Sequence, residues 1–304
     1  MVKHSTLKKL TYLPLQLFNF YLLVLTSSLK AQSQDTLHSK YISIGAKHAG
    51  ICFGNCRVYS GLRANIIDKY THKVNGINMI VCGRRLPRCD SNKCKVNGIN
   101  VGFLLNNAYQ VNGLSFAIFT DGGTIHKGAN KVNGIEIGVF GCSGDETNGL
   151  GIGGFFYCKN RINGVAISYI GCVAKKINGM AAASLLGADT LNGIFGGGCI
   201  EVGTRNKYHY RSIVQRDTTG QLNGVAISFF TFAANVKGLL LSLLGNSCFV
   251  QKGLSIGLFN YAQHLDGVQI GLINYAANTR ILCLPIINMH FKKGKKQIKN
   301  RGNN

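Results

Sequence analysis

Apolar and polar residues alternate in short segments along residues 57–291, and each segment starts at a glycine. Two examples are Gly134-Ile-Glu-Ile-Gly-Val-Phe and Gly267-Val-Gln-Ile-Gly-Leu-Ile. The first, third and fifth residues after the glycine are apolar, whereas the second is polar or small. A period of two is typical of a β-strand whose two faces differ. With three prolines in the whole chain and no segment of helical period in this region, the pattern predicts an all-β chain built from repeats.

Many of these segments open with the dipeptide Asn-Gly, and four successive steps between such glycines, from Gly134 to Gly193, span 14 or 15 residues. Asn-Gly is favoured where two consecutive residues need positive φ, so each pair predicts a tight hairpin turn or a bulge at the start of a strand. The predicted structural turn residues are Asn75 and Gly76, Asn97 and Gly98, Asn112 and Gly113, Asn133 and Gly134, Asn148 and Gly149, Asn163 and Gly164, Asn178 and Gly179, Asn192 and Gly193, and Asn223 and Gly224.

Two architectures can use this repeat. In the first, successive repeats form an antiparallel up-and-down meander that closes into a shallow β-barrel of about 16 strands. This count includes a strand within residues 41–53, another at 282–291, and a third at 208–215. In the alternative, a β-solenoid, each coil takes one repeat of 15 residues. We favour the barrel because each repeat has only one clear strand, whereas a coil needs two walls around a core.

The two architectures differ in the position of one cysteine. In a solenoid Cys158 stacks beside Cys142 and Cys172, whereas in a meander it lies at the opposite end of the neighbouring strand. Residues late in the repeat, such as Ala174 and Ile177, would give a solenoid something to bury on its other side.

The first 33 residues have the pattern of a secretory signal peptide. Lys3, Lys8 and Lys9 precede a mostly apolar segment from Leu13 to Leu29, and small residues follow at 31–33. This predicts an exported protein with four parts: a signal peptide (1–33), an N-terminal segment with the first strand (34–56), the β-repeat domain (57–291) and a basic disordered tail (292–304).

The chain carries a formal net charge of +23, which favours anionic neighbours such as lipid head groups and phosphorylated glycolipids. We therefore expect an envelope lipid or an anionic glycolipid as partner. Nucleic acid is not expected, because the chain is predicted to be exported. Two irregular segments are candidate anion-binding loops: Arg84, Arg85, Arg88, Lys93 and Lys95 in the first insertion, and Lys207, Tyr208, His209, Tyr210 and Arg211 between Gly193 and Gly224.

Two motifs match the spacing of catalytic loops but fall in repeat register. Residues 149–154 match a dinucleotide-binding loop, and Gly253-Leu-Ser-Ile-Gly257 matches a nucleophile elbow. The equivalents of Ser255 in sister repeats are Glu136 and Gln269, and no helical segment follows either motif. We therefore predict no enzymatic activity, no catalytic residue, no metal and no cofactor.

The repeats at Gly253–Ala262 and Gly267–Ala276 and the closing segment Leu284-Pro-Ile-Ile-Asn-Met-His-Phe291 resemble a family of uncharacterised bacterial envelope proteins. Members of that family carry surface repeats of the type Gly-Leu-Gln-Ile-Gly-Leu-Ile-Asn. The resemblance implies export, an outer-membrane or cell-surface address and a β-repeat fold; it transfers no catalytic residue.

The function expected from these features is that of a non-enzymatic, exported β-repeat protein of the bacterial outer envelope with a structural or surface-interaction role. One alternative is an outer-membrane transport barrel for a small or lipidic ligand, with a lumen lined by Asn100, Ser115, Glu136, Ala166 and Gln269. The other alternative is a soluble periplasmic binding module.

Overall fold

The computed structural model describes residues 41–46, 48–68, 71–83, 94–106, 108–121, 131–203 and 220–291. These residues contain ten strands in one sheet and no helix, which confirms the predicted all-β class. The strands are β1 (Tyr41–Ala46), β2 (Ala49–Gly54), β3 (Val58–Asp68), β4 (Lys73–Gly83), β5 (Lys95–Asn106), β6 (Gln110–Asp121), β7 (Lys131–Val202), β8 (Gln221–Ile256), β9 (Phe259–Ala276) and β10 (Cys283–His290). Contacts between residues divide the chain into two units, residues 1–40 and 41–304, and all ten strands lie in the second. The predicted signal peptide, the basic tail and the strand predicted at 208–215 lie outside the described residues.

Consecutive strands from β2 to β9 pair in parallel, so the predicted antiparallel meander is wrong. Only the two ends of the sheet are antiparallel, where β1 pairs with β2 and β9 with β10. The strand order follows the chain, and β1 and β10 are the outer members of the sheet, which is not closed as a barrel. Parallel pairing of successive repeats is the arrangement that the alternative, the solenoid, requires. The count of about 16 strands is not confirmed.

The repeat glycines set the register of this pairing. Gly61 lies opposite Gly76, Gly76 opposite Gly98, and Gly253 opposite Gly267. Inside the long strand β7, the backbone carbonyl oxygen of Gly149 lies against the Cα of Gly164. Fourteen such glycines, from Gly50 to Gly267, have φ between +117° and +157°. We call the residues from one of these glycines to the next a rung; successive rungs pair in parallel with their repeat glycines opposite one another, and we call the resulting series of rungs the stack.

The Asn-Gly pairs do not form hairpin turns, because they lie within parallel strands and only their glycines have positive φ. Instead, the asparagine amides form a ladder along the stack. Asn163, for example, donates to Oδ1 of Asn148 at 2.7 Å and accepts from Nδ2 of Asn178 at 2.8 Å. Eight such bonds of 2.7–2.9 Å join the nine asparagines from Asn75 to Asn223.

The interior of the stack is filled by residues from two parts of each rung. One set lies two residues after the glycine, where Ala166 and Leu240 are fully buried. The other set lies in the second half of the rung, where Cys172, Ala174 and Ile177 are fully buried. These late residues give the rung a second buried side, and the apparent absence of such a side in the sequence favoured the barrel. Cys142, Cys158 and Cys172 belong to one buried cluster.

The two ends of the sheet have their own structures. The segment predicted as one strand within 41–53 contains two, β1 and β2, and Cys52 forms a disulfide with Cys56 in the short first rung. At the other end, β10 matches the strand predicted at 282–291. Its pairing with β9 shifts register between Leu284 and Ile286, next to the left-handed backbone of Ile286 (φ +68°).

The glycine stack generates a direct test. A Cβ at position 164 would overlap the carbonyl oxygen of Gly149 and would also need positive φ, so Gly164→Ala should lower the free energy of unfolding by about 3 kcal/mol or more. Urea denaturation followed by circular dichroism measures this change.

The matched control is Gly196→Ala. No atom lies within 4 Å of a Cβ built at Gly196, so this change should stay within about 0.5 kcal/mol of wild type. Equal destabilisation by the two variants would contradict the close glycine contact.

Candidate interaction surface

Most residues at positions 1, 3, 5 and 6 after the repeat glycines point away from the core, and we call their surface the apolar wall; Cys56, which forms the disulfide, is buried. Phe103, Tyr169, Leu243 and Leu272 each keep 60% or more of their side-chain surface exposed. Further exposed members are Met79, Val81, Val139, Phe140, Phe155, Ile167, Ile170, Leu185, Ile227, Phe229, Phe230, Phe259 and Ile273. The wall follows the stack along its whole length.

No charged residue occupies any of these four positions after the fourteen repeat glycines, although the chain has 34 cationic and 11 acidic residues. Along the stack the wall spans thirteen strand spacings, or about 60 Å, and across the stack it spans six extended residues, or roughly 17 Å. Its area is therefore about 1,000 Å². The largest apolar patch on a soluble monomer is usually about 300–600 Å². A surface of this size and composition is typical of a contact with another apolar body.

Most of the exposed charges lie instead in the second half of the rung, between the wall and the asparagine ladder, and we call this part the return segment. One column, three residues before the repeat glycine, contains Lys73, Lys95, Lys131, Arg161 and Lys176. Its single acid, Glu146, accepts ion pairs from Lys131 at 3.0 Å and from Arg161 at 3.2 Å. Lys159 and Lys175 add exposed cations beside this column. The apolar wall and the exposed cations therefore lie on different parts of the stack, although not every rung carries a cation.

Of the residues predicted to bind anions, the structure describes only Lys95, which is exposed and begins β5 in the cationic column. Arg84, Arg85, Arg88, Lys93, Lys207, Tyr208, His209, Tyr210 and Arg211 lie outside the described residues. Both insertions start after the wall, following Gly83 and Gly203, so their attachment points belong to the return segment. The wall, in contrast, was not predicted from the sequence, although the lack of charged residues at the same four positions after every repeat glycine is visible there.

Polar residues predicted to line a lumen are buried in the stack, where they bond to neighbouring rungs. Arg63 donates to Asn78 Oδ1 at 2.7 Å, and Asn78 donates to Asn100 Oδ1 at 2.7 Å. Asn106 donates to Ser115 Oγ at 3.0 Å in the same network. Ala166 and Gln269 are also fully buried. These contacts make the inner positions part of a packed interior.

Glu136 is the buried carboxyl group of this interior. Its Oε1 accepts a bond from Thr120 Oγ1 at 2.6 Å and its Oε2 one from Thr147 Oγ1 at 3.2 Å. Burial raises the pKa of Glu136 from 4.5 to about 7, although both threonine bonds act in the opposite direction. The carboxyl is therefore largely neutral in mildly acidic solution and about half ionised near pH 7.

The buried thiols of this interior are expected to be unreactive. Burial raises the pKa of Cys142, Cys158, Cys172 and Cys248 to about 12 in each case, so they remain protonated at physiological pH. The thiolate is the nucleophile and the metal ligand, so these cysteines serve as small packing residues. No group of three or more potential metal ligands occurs among the residues that the structure describes.

No helix within the described part of the chain is long and apolar enough to cross a membrane. No protein-family model, curated protein or solved structure matches this chain.

Glu136 predicts how stability depends on pH. Its pKa is higher in the folded chain than in the unfolded one, so its contribution is complete below about pH 4.5 and is lost as pH rises to 7 and above. The loss should reach about 3 kcal/mol in the free energy of unfolding. Glu136→Gln keeps the shape and cannot ionise, so it should gain stability relative to wild type between pH 5 and pH 8. Urea denaturation at the two pH values measures this gain, and an equal pH dependence in both proteins would contradict the assignment.

Proposed function

We propose that this chain is a non-enzymatic β-solenoid of the bacterial outer envelope, exported from the cell, whose apolar wall carries out a surface-interaction role. In this proposal each coil is one rung, the interior is structural, and the wall is the working surface. The proposal of export is supported by the signal-like residues 1–33. The proposed location in the outer envelope is supported by the resemblance of the repeats to envelope surface repeats.

The observation that supports this role most strongly is the mostly apolar and uncharged composition of the wall. Arg63 and Glu136 are buried, whereas Phe103 and Leu243 are exposed, which is the reverse of the usual distribution. Burying two ionisable groups while leaving rows of apolar side chains outside is costly in water. The unfavourable exposure of the apolar side chains ends when another apolar surface covers the wall, and a bacterial envelope contains several such surfaces.

A transport barrel needs a closed antiparallel sheet around a lumen, and the sheet of this chain differs from that arrangement. The pairing is parallel from β2 to β9, and the inner positions are filled by side chains such as Phe156, Phe195 and Leu240. A soluble periplasmic binding module remains the competing proposal. It predicts that the wall stays uncovered in the cell.

Fractionation of bacterial cells that express the full chain tests the proposal. The wild-type protein should sediment with the envelope, and a double variant of the wall, Phe229→Asp with Leu243→Asp, should move to the soluble fraction. Both side chains are more than half exposed, so their replacement disturbs the wall and leaves the interior intact.

The matched control replaces two exposed apolar residues outside the wall, Ile281→Asp with Leu282→Asp, in the turn before β10. This control should fractionate like wild type. A soluble wild-type protein, or a wall variant that stays with the envelope, would contradict the proposal.

A further inference from the structure

We infer that the apolar wall lies in the interface of an anionic phospholipid bilayer, with the long axis of the stack parallel to the membrane plane and the return segments at the level of the phosphates. This inference rests on the proposed function and names the partner of the wall. It follows from four features of the described residues: the length of the wall, its one-sidedness, its repetition and the position of the cations.

The length of the wall favours a stack that lies on the membrane over one that crosses it. The wall is about 60 Å long, whereas the hydrocarbon core of a bilayer is about 30 Å thick. A crossing stack would also carry the cations of its return segments, such as Lys175 and Lys176, into hydrocarbon, where they are costly. Lying flat covers the wall and keeps these cations in the polar region.

The repetition of the wall favours lipid over a second copy of the chain. Neighbouring rungs present almost the same apolar pattern, so two facing walls could slide by one rung, about 4.8 Å, with little change in contact. The wall has few polar groups that could fix one register; Asn55 and Ser184 are among them. A bilayer surface has no register, and it accepts a uniform apolar face.

The cations lie at the right depth for phosphate groups. Two packed β-layers are separated by about 10 Å, and interfacial amphipathic segments bury their apolar face by about 5–10 Å. With the wall at that depth, exposed return-segment cations such as Lys159 and Lys176 reach the head groups. Anionic lipids attract such cations, and the side chains of Lys and Arg extend toward the interface. The stack is thus the β-counterpart of an interfacial amphipathic helix.

Vesicle flotation with the full chain tests the inference. Vesicles of phosphatidylglycerol and phosphatidylcholine should carry the wild-type protein upward, and pure phosphatidylcholine should carry much less. The wall variant, Phe229→Asp with Leu243→Asp, should weaken binding by on the order of 100-fold. The Ile281→Asp and Leu282→Asp control should bind like wild type, and circular dichroism should show that all variants keep the β-fold.

The cationic side is tested by Lys175→Gln with Lys176→Gln. Each lost cation should weaken binding to the anionic vesicles by roughly fivefold, and the effect should fade at high salt. Binding that is equal on anionic and neutral vesicles, or unchanged by this variant, would overturn the role of anionic lipid.

A fluorescent label distinguishes the wall from any other part of the chain that touches lipid. The sequence contains no tryptophan, so a single Phe140→Trp reports only on the wall. Its emission should shift to the blue on vesicles and be quenched by lipids brominated in their acyl chains. A Lys159→Trp label on the return segment should be quenched much less. Equal quenching at both positions would overturn the proposed orientation.

Failure of this inference can be separated from failure of the proposed function. If the protein ignores vesicles but self-associates in analytical ultracentrifugation, and the wall variant abolishes that association, the wall is an interaction surface and lipid is the wrong partner. If neither vesicle binding nor self-association occurs and the wall variant fractionates like wild type in cells, both proposals are overturned.

Discussion

The close contact between stacked glycines is the constraint on which the rest of this structure depends. At each step the carbonyl oxygen of one repeat glycine occupies the space where the next glycine would carry a Cβ. The backbone there has positive φ, which glycine adopts at little cost. This contact fixes the register of one rung on the next. Once the register is fixed, every asparagine of the ladder faces its equivalent, and every inner position has the same neighbours above and below.

That register explains why an interior with polar and charged groups is tolerated. A rung of 14 or 15 residues encloses a narrow space, and its inner positions hold small residues or residues that bond along the stack. Arg63, Asn78 and Asn100 bond in series, and Ser242, Asn246 and Asn260 do the same near the other end. Between them lies the largest apolar cluster, which includes Phe156, Phe195 and Leu240. Most large apolar residues consequently lie outside, on the wall.

The sequence pattern was sufficient to predict the all-β class and the glycines at which the repeats start. The direction of pairing was predicted wrongly, because a period of two is the same in parallel and antiparallel strands. The dipeptide Asn163-Gly164 is compatible with a hairpin turn and equally with a ladder between parallel strands. In the structure the Asn163 side-chain amide bonds to Asn148 and Asn178, and this pairing depends on the register of the strands. The late residues of the repeat, such as Ala174 and Ile177, were recognised as possible buried positions, but they do not alternate with polar residues and so did not indicate a second strand. The pKa of Glu136 likewise depends on Thr120 and Thr147, which only the stacking brings together.

The most direct test of the account is a set of distances along one column of the stack. Lys95, Lys176 and Asn235 all lie three residues before a repeat glycine, and spin labels attached through a ketone-bearing amino acid at these positions would leave the cysteines unchanged. With one strand spacing per rung, pulsed electron paramagnetic resonance should give about 24 Å between positions 95 and 176 and about 38 Å between 95 and 235. Distances that do not increase with the number of rungs, or a longer distance for the nearer pair, would contradict parallel stacking and the wall that follows from it.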